Sequence, residues 1–194
     1  NTTKCIEKPL DISTVNWILS DNHRFALAYD FDRYYLVDFE SGRITADGVV
    51  SELINCGVIS EDGKKLYANG MENTVFCIDI DSGSITYIDE EYRLSWGDPS
   101  RKTMALTSDG RFLAVSCADN ILRIWDDRYE KTIAEIPYAG QNSSFLMFMP
   151  DDNKLIMQGD TYYLKIYDLD SEEFVFISDE QYNYIDNMVV DREV

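Results

Sequence analysis

Four stretches of the chain align without gaps at their centres, and they constrain its fold more than any other feature. They begin at Ser20 (SDNHRFALAYDFDRYYLVDFESGRI), Glu61 (EDGKKLYANGMENTVFCIDIDSGSI), Ser108 (SDGRFLAVSCADNILRIWDDRYEKT) and Pro150 (PDDNKLIMQGDTYYLKIYDLDSEEF). Each opens near an Asp (Asp21, Asp62, Asp109, Asp151) and closes an apolar run with a second (Asp38, Asp79, Asp126, Asp168), always 17 residues on. Successive units start 41, 47 and 42 residues apart. A period of that size belongs to a four-stranded unit that buries its faces only by stacking on its neighbours.

Inside each unit, short runs of β-branched and aromatic residues alternate with Asp/Asn/Gly turns, as in GMEN, ADN and GDT, or DFESG and DIDSG. These are hairpin signals. No segment sustains an apolar period of 3.6, so the chain is expected to be all-β. The dipeptide Trp125-Asp126 has counterparts in Val37-Asp38, Ile78-Asp79 and Tyr167-Asp168.

In these residues the chain resembles the WD40-repeat β-propeller family, in degenerate form and over nearly its whole length. The resemblance implies four-stranded antiparallel blades at 15–46, 55–88, 103–136 and 144–177. Residues 1–10 then read as an orphan fourth strand and 183–194 as an orphan first strand. Four full blades with an orphan strand at each end are expected to form an arc of a larger ring of about seven blades; a compact small ring with a composite blade is the alternative. The family pins a blade with a Trp, a Ser or Thr, an Asp and a His. Trp125, Ser116 and Asp119 stand at the matching places in the third unit, and the His is missing from the loop before it.

Charge and composition narrow the function. Apolar residues make up 45% of the chain, too many for disorder, and the formal charge is −19. Such acidity disfavours nucleic acid and anionic membranes, which need clustered Lys and Arg. Residues 150–194 hold 12 Asp and Glu against three Lys and Arg. This quarter reads either as a solvated, repulsive surface or as a docking face for a basic partner. No run of 18 apolar residues suggests a membrane span. The start at Asn1-Thr2-Thr3, without an initiator Met or signal peptide, suggests an excerpt of a longer or processed protein. Cys5, Cys56, Cys77 and Cys117 form no C-x-x-C pair, so zinc is not expected, and reduced core cysteines in a cytoplasmic protein are. The N-x-[ST] matches at Asn1 and Asn142 are short enough to be chance.

No catalytic set stands out. The one His, His23, sits in an exposed turn, and no phosphate-cradling glycine motif occurs. Asp79, Asp81 and Glu90 mimic a calcium loop, but Gly83 and Ser84 occupy its fifth and sixth positions and the turn recurs in other units. Asp126-Asp127 and Asp151-Asp152 read as solvated turn residues. Cofactors, metals and a small-molecule substrate are therefore not expected.

The long step between the second and third units comes from the loop Asp89–Thr103, which carries Tyr92, Arg93, Trp96 and Arg101. Interface hot spots favour these residue types, so substituting Tyr92 and Trp96 by Ala is expected to weaken partner binding without unfolding. The family resemblance places Tyr29, Phe31, Tyr162 and Tyr163 on the same binding face. The expected function is a non-catalytic interaction, sensor or scaffold module. It would bind another protein or another domain of its own parent chain, for instance in the C-terminal sensor region of a large regulatory ATPase. The alternative is a hydrolase or lyase on a propeller scaffold, its site in blades outside this chain. The apolar first strands (VNWIL, NCGVI, TMALT, SFLMF) argue against an axial site here.

Overall fold

A computed structural model describes residues 16–30, 33–70, 72–89, 92–94, 103–137, 145–150, 153–158 and 162–182. The two expected orphan strands, with Phe31, Trp96 and Arg101, lie outside the described residues. Among those residues there is no helix; sixteen strands form four antiparallel sheets of four, each in sequential order. Sheet one holds β1 (Asn16–Leu19), β2 (Phe25–Asp30), β3 (Arg33–Asp38) and β4 (Arg43–Val49). Sheet two holds β5 (Cys56–Ile59), β6 (Lys65–Asn69), β7 (Val75–Asp79) and β8 (Ile85–Tyr87). Sheet three holds β9 (Met104–Leu106), β10 (Phe112–Ser116), β11 (Ile121–Asp126) and β12 (Lys131–Pro137). Sheet four holds β13 (Phe145–Phe148), β14 (Lys154–Gln158), β15 (Tyr163–Asp168) and β16 (Glu173–Gln181). No sheet closes on itself.

The turns explain the repeat. Asp38, Asp79, Asp126 and Asp168 each end the third strand of a sheet. In each, Oδ1 accepts the N–H of a residue two or three positions on: Glu40, Ser82, Arg128 and Asp170. Four positions after each Asp the backbone is left-handed, at Gly42 (φ 69°), Gly83 (φ 70°), Glu130 (φ 47°) and Glu172 (φ 55°). An Asx turn followed by such a residue folds the third strand onto the fourth.

A second turn leads from first to second strand. The hydroxyls of Ser20, Ser60 and Thr107 donate to Asn22, Asp62 and Asp109, 2.7 Å in each case. Each hydroxyl also accepts the N–H of the first residue of the next strand, at 2.9 Å. The counterpart of Asp62 and Asp109 in sheet one is therefore Asn22. The sequence alignment on Asp21 is one residue out, because the β2–β3 hairpin from Phe25 to Asp38 is one residue shorter than its counterparts from Lys65 to Asp79, Phe112 to Asp126 and Lys154 to Asp168. His23 (φ 57°) fills the left-handed position that Gly63 and Gly110 fill elsewhere.

The chain divides into two compact units, Asn1–Glu90 and Glu91–Val194, which contain two sheets each. In the first, Phe25, Leu27, Tyr29, Tyr34 and Leu36 of sheet one pack on Leu66, Ala68, Phe76 and Ile78 of sheet two. In the second, Ala105, Ala114, Leu122, Ile124 and Ile136 of sheet three pack on Leu146, Phe148, Leu155, Met157 and Tyr167 of sheet four. Strand alternation puts each set on a single face. First strands lie side by side in both units, β1 with β5 and β9 with β13. A fully buried Leu or Phe in such a core is worth about 1.5–3 kcal/mol.

Candidate interaction surface

Tyr92 is turned inward. It is 0% exposed, stands edge-on to Trp125 and shares a 2.9 Å hydrogen bond with the hydroxyl of Thr132. Leu94 bridges to Cys117, and the carbonyl of Arg93 accepts the N–H of Ala118, so residues 92–94 are laid along sheet three. The expectation of a partner-facing Tyr92 is corrected: an aromatic ring with a hydroxyl partner and an apolar slot gains more by burial than by exposure. Arg93 itself is exposed.

Tyr29 is likewise buried, and its hydroxyl donates to the Asn55 carbonyl at 3.0 Å. Burial, and secondarily the neighbouring Cys56, pushes that phenol up to about 12. Tyr162 is 39% exposed at φ 60°, and its carbonyl accepts from Tyr182 N–H and from the Gln158 amide. Tyr163 is half-buried and pairs across to Gln181.

Ser116, Asp119 and Trp125 do not assemble. Ser116 is in register with Leu122 and Trp125 with Leu113, so the two side chains are on opposite faces of sheet three. Asp119 instead forms a bidentate pair with buried Arg123 at 2.9 and 2.6 Å, and Arg123 Nε donates to Glu135 at 3.0 Å. The Arg123 hydrogen bond is the leading cause holding the Asp119 carboxyl below its usual range. Of the calcium-like trio, Asp79 Oδ1 is taken by Ser82 N–H and Oγ, and Glu90 lies outside the described residues.

The surface the sequence reading missed lies between sheets three and four. A groove of about 690 Å³ is lined by Glu135, Ile136 and Pro137 of β12, Tyr167 of β15, and Glu172, Glu173 and Phe174 at the β15–β16 turn. Tyr167 and Phe174 meet edge-to-face at 5.3 Å and form an aromatic floor. Burial, then the charge of Glu172, raises the Tyr167 phenol and keeps it neutral. Phe174 is 37% exposed, and Lys165 Nζ lies 5.6 Å from its ring centroid. The lining residues include three carboxylates and no cation. The signal for this groove was present in the acidic final quarter and in the run EFVFI, which does not alternate.

The first unit serves as an internal comparison. The β-ladders place Asp47, Gly48 and Val49 where sheet three has Glu135, Ile136 and Pro137. Gly83, Ser84 and Ile85 stand where sheet four has Glu172, Glu173 and Phe174. There the Tyr34 ring lies against β4, so close that a Cβ on Gly48 would come within 2.8 Å of it. Glutamates at the turn and an aromatic beside them distinguish the second unit.

Comparison with protein-family models finds no match, and no curated protein matches the chain.

Proposed function

We propose that the four sheets are blades of a propeller arc similar to the WD40 repeats, and that the chain is a non-catalytic protein-interaction module. The observation that carries this reading is the groove between β12 and the β15–β16 turn, an apolar floor with an ionised rim, as small recognition sites are built. The arc is supported by the side-by-side first strands of both units and by apolar residues on outward faces. Trp17 and Leu19 stand opposite Ala28 and Ala26, on the face of sheet one turned from sheet two, and are 49% and 52% exposed. Phe176 stands opposite Ile166, on the face of sheet four turned from sheet three, and is 46% exposed. A neighbouring blade would cover both faces. Thiols at Cys56, Cys77 and Cys117 suit a reducing, cytoplasmic setting.

The test is selection of a displayed random peptide library against the intact chain. Saturable ligands that compete with one another are expected, and a library yielding none overturns the reading.

A further inference from the structure

We propose that the groove between sheets three and four takes an extended basic segment, with one aliphatic or aromatic side chain seated on Ile136, Pro137, Tyr167 and Phe174. This rests on the interaction-module reading and names its partner chemistry. Two features of the groove select such a segment. The floor is apolar and partly open, so it rewards a single apolar side chain. The rim is mainly acidic: Glu172 and Glu173 stand on one wall, while Glu135 on the other is already bonded to Arg123 and Lys165 lies near the Phe174 ring, so Lys or Arg flanking that side chain meets opposite charge chiefly on the Glu172/Glu173 wall.

The two turn glutamates are particular to this groove. The corresponding turn of the first unit carries Gly83 and Ser84, although both turns are built on the same Asx geometry. The occupant is extended because β16 is the outermost strand of its sheet and runs nine residues from the groove. Its outer edge is where another strand-like segment aligns.

The experiment titrates a labelled peptide alternating Lys with Leu and Phe against the intact chain by fluorescence anisotropy. A chain this acidic attracts any basic peptide, so the measurement turns on paired variants of equal charge. Glu172→Gln with Glu173→Gln should weaken binding about tenfold. Asp81→Asn with Asp89→Asn, both exposed in the first unit, should change it less than about twofold. Replacing Leu and Phe of the peptide by Ser should abolish the difference between the two variants. Equal weakening by both pairs, or a Ser-substituted peptide that binds as well, overturns the proposal. Library ligands that are acidic, or that bind the Glu172/Glu173 variant normally, overturn it while leaving the interaction-module reading intact.

Discussion

Tyr92 and Trp125 stand edge-to-face with ring centroids 5.8 Å apart and planes at 80°. The contact fixes the start of the long loop onto sheet three, so Tyr92 acts in stability. Tyr92→Ala is expected to cost about 3–5 kcal/mol, the usual loss for a buried aromatic. Tyr92→Phe, which keeps the ring and removes the Thr132 hydrogen bond, should cost about 1 kcal/mol. Urea denaturation of the three proteins checks both values, and two equal losses would mean that the ring contact contributes little.

The left-handed turn positions give a second set of stabilities. Glu130→Gly relieves a side chain held at φ 47° and should stabilise by about 0.5–1 kcal/mol. Gly83→Ala should cost about 1 kcal/mol from backbone strain alone, because its Cβ would meet nothing within 4 Å. Gly57→Ala should cost about 3 kcal/mol, since its Cβ would sit 2.5 Å from the Tyr67 carbonyl oxygen and backbone must move. Thermal melts that rank Gly83→Ala as the worst of the three would contradict this.

Acid should unfold the protein partly through the strand-ending aspartates. For Asp126, burial is the largest single influence and opposes the charge. The Arg111 guanidinium and the N–H groups of Arg128 and Tyr129 together outweigh it and hold the carboxyl below its ordinary value. The same direction holds at Asp38, Asp79 and Asp168. A folded-state value below the unfolded one means that the native state binds fewer protons. The stabilisation is therefore complete above the unfolded value of about 4 and is lost as pH falls through the folded one. Relief of general repulsion among carboxylates acts in the opposite sense, so the measurement is a difference. Urea midpoints from pH 6 down to about 3 should fall less steeply for Asp126→Asn than for the parent chain.

Thiol reactivity should follow burial. Burial is the main cause that pushes the Cys117 thiol up to about 11, against the lowering effect of Arg123. Cys56 is also buried, whereas Cys77 is half-buried. Iodoacetamide labelling near pH 8, read by peptide mass spectrometry, should modify Cys77 before Cys56 and Cys117. Cys56 and Cys117 should label only in denaturant, because the attacking species is the thiolate. Native labelling of Cys117 at the rate of Cys77 would show that its site opens.

Much of the fold was legible because its determinants are local. An Asp that caps its own turn and a left-handed residue four positions later act within a few residues, so the strand ends at Asp38, Asp79, Asp126 and Asp168 could be read by spacing. The same method slipped at Asp21, where a spacing of 17 was kept by chance while a shorter β2–β3 hairpin moved the role to Asn22. Register parity was not legible. Ser116 and Trp125 matched a motif by position, but pairing with Leu122 and Leu113 puts them on opposite faces.

What the amino-acid order determined by itself was the inventory of strands and turns, since hydrogen bonds between near neighbours and the twofold alternation of a strand need no distant partner. Only tertiary structure decided which aromatics face solvent. Tyr92 is buried because Trp125 and Thr132, from strands well beyond it in the chain, form its slot. The groove joins residues 135–137 to 167–174 only when sheet three stacks on sheet four. Burial is a property of surfaces brought together, so the order of residues along one surface does not specify it.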